Sequence, residues 1–181
     1  MLLALSGYKE VGKGTVASYI KSKLGNVLIT KFADPVKHSL SIVYSVPRDY
    51  WEYDKETPQK ELNGKTKRYV MQTYAQGVRD LLGEDIWINS LNLWYINLQD
   101  IAINDQLVVI DDLRYPNELH YIQSNEGKVI YIHKDIELSD RHKSESYYSL
   151  IRSKADYVLD NNGSLKDLYK QVDFILKDLF N

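Results

Sequence analysis

Apolar positions along the chain fall into two alternating kinds of pattern. Met1 to Leu5, Val27 to Lys31, Leu107 to Ile110, Val129 to His133 and Tyr157 to Leu159 are short and largely apolar. They lack a clean polar–apolar alternation, so each reads as a strand buried on both faces. Between them the apolar residues recur at three and four. Lys13 to Leu24 sets Val16, Tyr19, Ile20 and Leu24 on one face, leaves Lys21 and Lys23 outside, and closes at Gly25-Asn26. Asp34 as N-cap and Pro35 at the first helical position start a helix to about Tyr44, which Pro47 ends. Thr66 to Leu82 and Asp85 to Asn104 are further helices, followed by Asn117 to Asn125 behind Pro116. Leu165 to Leu179 turns Leu165, Leu168, Val172, Ile175, Leu176 and Leu179 to one side. Strands alternating with helices predict an α/β fold in three αβα layers, with a parallel sheet of about five strands covered on both faces.

Two stretches resist this pattern. Residues 48–65 are polar, aromatic and irregular, and read as a mobile excursion outside the core. Residues 134–154 are highly charged with little apolar periodicity; a solvated loop and a closing lid are both open there. Gly77 interrupts a helix at a cost of about 1 kcal/mol against alanine, which suggests close approach by a ligand or another helix.

The first strand leads directly into chemistry. Gly7-x4-Gly12-Lys13-Gly14-Thr15 follows the apolar run and opens the first helix. Glycines let successive N–H groups point at one anion, and the helix N-terminus adds partial positive charge. The G-x4-G-K spacing arises by chance at roughly 3 in 10⁴ positions, and the strand–turn–helix context makes it rarer still. Gly7, Val11, Gly12, Lys13, Gly14, Thr15 and Val16 are therefore the expected phosphate-binding residues, with Lys13 the β/γ-phosphate partner. Gly14 stands where many such loops carry a magnesium-binding hydroxyl. Any Mg²⁺ is then expected to be held mainly by phosphates and waters, with Thr15 contacting a phosphate.

Composition narrows the partners. The chain has 181 residues, enough for one domain with a sizeable core, and a net charge of −2 that disfavours general nucleic-acid binding. There is no cysteine, hence no disulfide, thiolate metal site or cysteine nucleophile, and the four histidines show no zinc spacing. No apolar stretch approaches a membrane span, and the N-terminal run is too short for a secretion signal. A cytoplasmic protein with no membrane partner is expected.

Because ligands of such folds sit at the carboxyl ends of the strands, Gly7 to Thr15, Asp34, Asp111 to Arg114 and 134–154 are expected around one crevice. Asp111 and Asp112 either cap a turn beyond their strand or orient the water shell of a metal. Arg114 would clamp a transferring phosphate. Arg68, Gln72 and Arg79 share a helical stripe suited to a phosphate and a base edge, though solvated arginines would look the same. Trp87 suits a core position better than a stacking platform. Arg141, with His142 and Lys143, would cover phosphates if 134–154 closes as a lid.

The loop GYKEVGKGT resembles that of nucleoside monophosphate kinases. Further blocks resemble bacteriophage-type deoxynucleoside monophosphate kinases more specifically: Phe32 to Lys37, Arg68-x3-Gln72, Arg79-Asp80-x4-Asp85-Ile86-Trp87, Ile110 to Glu118, His142-x-Ser144-Glu145 and Ala155 to Asn161. The resemblance spans nearly the whole chain. It implies a single P-loop kinase domain over residues 1–181, with a monophosphate-binding excursion over about 34–104 and a lid over about 134–154. It implies ATP, Mg²⁺ and deoxynucleoside monophosphates (dNMPs) as reactants. Asp34, Lys37, Arg68, Gln72, Arg79 and Trp87 would belong to the dNMP side, Lys13, Asp112 and Arg114 to catalysis, and Arg141 to the lid over ATP. A kinase for another phosphorylated acceptor (dephospho-coenzyme A, phosphomevalonate), a non-catalytic nucleotide-binding module and a homodimer all stay open.

Overall fold

The short apolar runs become the strands of one sheet in the computed structural model, which describes residues 1–99, 106–135 and 146–180. In chain order the elements begin with β1 (Leu2–Ser6), α1 (Lys13–Leu24), β2 (Val27–Thr30), α2 (Asp34–Tyr44), β3 (Pro58–Gln59), β4 (Lys65–Thr66), α3 (Lys67–Leu82) and α4 (Ile86–Gln99). They continue with β5 (Leu107–Leu113), α5 (Pro116–Ser124), β6 (Lys128–His133), α6 (Tyr148–Lys154), β7 (Tyr157–Asp160) and α7 (Leu165–Phe180). The chain divides into two units, Met1–Lys31 with Ile103–Asn181, and Phe32–Ala102.

The first unit holds the sheet, of order β2-β5-β1-β6-β7 with every pairing parallel. β1 is central, so the loop after it starts from a strand hydrogen-bonded on both sides. Leu3 and Leu5 pack with Val16, Ala17 and Ile20 of α1 and with Leu168 and Val172 of α7. On the other face lie α5 and α6, which bury Leu119, Ile122, Tyr148 and Ile151. This is the predicted α/β architecture, with helices on both faces.

Some details differ. β5 runs on through Asp111 and Asp112 to Leu113, and all seven of its residues are buried. Its register against β1 slips from Ala4↔Ile110 to Ser6↔Leu113, so two aspartates oppose the single Leu5. Such a bulge breaks the in–out alternation and re-aims a side chain. Within the charged 134–154 stretch, Tyr148–Lys154 is a helix with Tyr148 and Ile151 in the core. Leu165 and Leu24, expected inside, are exposed.

The second unit corrects the reading of 48–65 as an excursion outside any core. Arg48–Trp51 and Lys60–Leu62 are 3₁₀ turns, and β3 pairs antiparallel with β4. Trp51 and Leu62 join Val36, Leu40 and Trp87 in that unit's own apolar cluster, with Val70, Tyr74, Val78 and Ile86 packed around it. The aromatic content that looked irregular in sequence is the packing material of this core. The α2 cap falls on Ala33, not Asp34, whose carboxylate is engaged elsewhere. Thr66 caps α3 by accepting from Tyr69 N–H at 3.0 Å. A Cβ at Gly77 would meet nothing within 4 Å among the described residues, so no described segment demands that glycine.

Candidate active site

Between Ser6 and Lys13 the backbone adopts left-handed conformations at Gly7 (φ 135°), Glu10 (φ 66°) and Gly12 (φ 101°). Gly7 is required twice over, because a Cβ there would collide with the Ile132 carbonyl oxygen and lie 2.9 Å from Val11 Cγ2. At Gly12 a Cβ would come within 2.7 Å of Asn161 Nδ2. Gly14 is different: its φ is ordinary and a Cβ would meet nothing within 4 Å among the described residues. Its missing side chain leaves the first turn of α1 open, next to the exposed Thr15.

Lys13 folds back over this loop, donating from Nζ to Gly7 O and Tyr8 O, both at 2.6 Å. The ammonium is thus held at the loop's mouth by carbonyls that can hand it to a stronger acceptor. Val11 and Val16 are core residues. Val16 N–H closes the first helical bond on Gly12 O at 3.0 Å. That bond and the buried side chain make Val16 an anchor of the loop's end in the core.

Beside the loop, Ser6 Oγ donates to Leu113 O at 2.9 Å and so ties the end of β1 to the end of β5 beyond the bulge. Asp111 and Asp112 are both buried. Asp111 Oδ2 pairs with Lys31 Nζ at 3.2 Å, while Oδ1 is buried without a hydrogen-bond partner among the described residues. Arg114 follows at once, its backbone fixed by the buried Glu118, whose Oε2 accepts from Arg114 N (2.8 Å) and Tyr115 N (3.0 Å). Burial works against the Arg114 charge, but Tyr148, Asp112, Glu118 and Tyr115 outweigh it and raise the guanidinium pKa above its ordinary value. Arg114 is a permanent cation at the carboxyl end of the sheet.

The second unit carries the residues expected on the dNMP side. Lys37, only 4% exposed, pairs with Glu52 at 2.6 Å and with Asp34 at 3.6 Å. Arg48 reaches Asp34 at 2.5 Å and Glu52 at 3.3 Å, and Lys55 reaches Glu52 at 3.1 Å. Arg68 Nε donates to Glu56 at 2.6 Å. Gln72 and Arg79 are half-buried on the same helix, α3. Trp87 is 6% exposed with its indole N–H on Ala75 O at 3.1 Å. It supports α3 from within the core, as its residue type suggested. Arg141, together with His142 to Glu145, lies outside the described residues.

The model of the family described as "Deoxynucleotide monophosphate kinase" matches residues 55–172. A protein of Acanthamoeba polyphaga mimivirus, provisionally named deoxynucleotide monophosphate kinase, is 31% identical over 95% of this chain and 94% of its own length. The chain belongs to the deoxynucleotide monophosphate kinase family. The deoxynucleotide monophosphate kinase of Escherichia phage RB69 is 25% identical over 97% of this chain and 99% of its own. Among solved structures, shikimate kinase from Aquifex aeolicus matches with a TM-score of 0.50 at 15% identity, over 99% of this chain and 98% of that one. Dephospho-CoA kinase from Campylobacter jejuni matches with a TM-score of 0.50 at 19% identity, over 98% and 95%. At those identities the likeness is one of fold.

Several groups of this kinase family member were not singled out in the sequence. Arg48, Glu52 and Lys55 follow i, i+3 and i, i+4 spacing within the stretch read as irregular. Lys31 and Ser6 carry no local signal, since their partners lie 80 and 107 residues away.

Proposed function

We propose that this protein transfers the γ-phosphoryl group of ATP to deoxynucleoside 5′-monophosphates. An oxygen of the acceptor phosphate forms the new bond to the γ-phosphorus, the bond to the β-phosphate oxygen breaks, and ADP and the deoxynucleoside diphosphate leave. The observation that carries this is the strained glycine loop closed by Lys13 at the end of the central strand, in a chain of this family.

The acceptor phosphate is already anionic at neutral pH, so no general base is required. What the reaction needs is alignment and positive charge against the spreading negative charge of the moving phosphoryl group. Lys13 supplies it at the β/γ-phosphates and Arg114 at the transferring phosphoryl. Asp34, Lys37, Arg68, Gln72 and Arg79 serve the dNMP, and Arg141 the lid over ATP.

The donor set suits Mg²⁺, a hard cation that prefers oxygen and keeps several waters. Asp111 Oδ1 is a buried acceptor with no hydrogen-bond partner among the described residues, and Asp112 stands next to it. No cluster of three or more metal-binding side chains occurs among the described residues. Asp111 and Asp112 would therefore act through water, with the phosphates as the main ligands. Bound there, Mg²⁺ supplies charge neutralisation at the phosphates. No described helix is long and apolar enough to cross a membrane. The protein would act in the cytoplasm, the host's if it is phage-encoded.

The test is coupled ADP release with ATP across all four dNMPs, with AMP, GMP and dephospho-coenzyme A in the same panel. Multiple turnovers with at least one dNMP are expected, and no turnover with any dNMP refutes the assignment. Lys13→Ala and Arg114→Ala should each lower kcat by about 10² or more. An Arg114→Ala enzyme with unchanged kcat and only a raised KM would remove Arg114 from the transition state.

A further inference from the structure

Asn161 touches the phosphate loop from 150 residues along the chain. Its backbone is set by the sheet. Asn161 N donates to His133 O at 2.8 Å, one step beyond the His133↔Asp160 register of β6 and β7. Asp160 is gripped in turn by Gln171 of α7, which donates from Nε2 to Asp160 O at 2.8 Å and accepts from Asp160 N at 3.0 Å. From this braced base the Asn161 side chain crosses to the loop, and Nδ2 donates to Val11 O at 2.8 Å. A carbonyl can only accept, so the amide nitrogen must be the atom facing it.

The Val11–Gly12 peptide is trans. In a trans peptide the C=O and N–H point in opposite directions, so holding Val11 O toward Asn161 directs Gly12 N–H away from it. Gly12, at φ 101°, has the backbone freedom to let that peptide plane turn over. A flipped plane would set a carbonyl oxygen where an N–H now points, replacing attraction for an anion by repulsion. The Gly12 Cα also lies directly under the Asn161 amide, where a Cβ would come within 2.7 Å of Nδ2.

We propose that Asn161 is a positioning residue for donor-nucleotide binding, its amide fixing the Val11–Gly12 peptide so that Gly12 N–H faces the phosphate. The inference rests on the reading of Gly7 to Thr15 as the site of the ATP phosphates. Asn161 touches no reacting atom; it acts through the loop. Its neighbour Asn162 braces the same turn differently, through Asp160 Oδ1 and Asp135 N, without reaching the loop.

The experiment is calorimetric titration of the full chain with ATP and, separately, with inorganic tripolyphosphate, alongside dNMP steady-state kinetics. Asn161→Ala should weaken both ligands about tenfold, the worth of one hydrogen bond that orients a charged contact. Asn161→Asp, which sets a carboxylate oxygen against Val11 O, should weaken them at least as much. Asn162→Ala should stay within about twofold of wild type, as expected of a surface change away from the loop. The KM for dNMP should not move in Asn161→Ala, and the Gly12 amide resonance should shift more than that of Gly14. Should Asn161→Ala fail to fold by circular dichroism, Asn161→Ser, too short to reach Val11 O, is read in its place. Wild-type affinity in a folded Asn161 variant overturns the inference while leaving the function standing. Equal losses in the Asn161 and Asn162 variants also overturn it, because they would reflect general loosening of the turn. A wild-type protein that binds neither ATP nor tripolyphosphate overturns both the inference and the phosphate-loop reading beneath it.

Discussion

Glu52 stands among three cations, with Lys37 at 2.6 Å, Lys55 at 3.1 Å and Arg48 at 3.3 Å. Replacing it by Gln keeps the volume and an acceptor oxygen but removes the charge that neutralises the buried Lys37. Burial tends to raise the Glu52 pKa, but hydrogen bonds from Lys37 and Lys55, together with their charges, pull it from 4.5 to about 2. At about 1.4 kcal/mol per pKa unit, that shift corresponds to an upper bound of about 3 kcal/mol of native-state stabilisation. The Glu52 side chain is 24% exposed, and solvent screening brings the figure to about 2 kcal/mol. Glu52→Gln is therefore expected to lower Tm by roughly 4–8 °C at pH 7. A carboxylate with a depressed folded pKa contributes fully above its unfolded value and loses that contribution as pH falls toward the folded value. The wild-type advantage should be complete above about pH 4.5 and shrink to about two-fifths at pH 3. Urea denaturation followed by tryptophan fluorescence reads the right unit, because Trp51, Trp87 and Trp94 all lie within 32–102. A gap absent at pH 7, or one that does not narrow by pH 3, would refute the role of this charge cluster.

Two glycines of one loop should behave oppositely. Gly7→Ala combines a left-handed φ with a collision against a backbone carbonyl, and should cost about 3 kcal/mol or more in thermal denaturation. Gly14→Ala meets nothing among the described residues, and should be neutral or stabilise α1 by about 0.5 kcal/mol; equal damage at both positions would contradict the loop geometry. Thr66→Ala removes the cap of α3 and should cost about 1 kcal/mol, with Thr66→Ser recovering most of it, both read by urea midpoints.

The amino-acid sequence by itself determined whatever depends on near neighbours. The bounds of α1 and the left-handed backbone at Gly7 and Gly12 follow from residue types within a few positions, because glycine's freedom at positive φ and helical periodicity are local effects; Glu10, left-handed as well, carries no such signal. The parallel sheet was legible for the same reason, since strands buried on both faces must be apolar throughout. Tertiary structure alone decided which strands adjoin and how their ends are trimmed. The order β2-β5-β1-β6-β7 and the bulge that fits Asp111 and Asp112 against Leu5 arise from pairing between segments about a hundred residues apart. Trp51 looked like a loop residue because its packing partners, Val36, Leu62 and Trp87, are scattered along 52 positions of the chain. Lys31 with Asp111, Ser6 with Leu113 and Asn161 with Val11 leave no periodic trace, because each is one contact whose geometry exists only after the sheet has formed. Sequence could therefore announce a phosphate loop, while the fold determined what braces it.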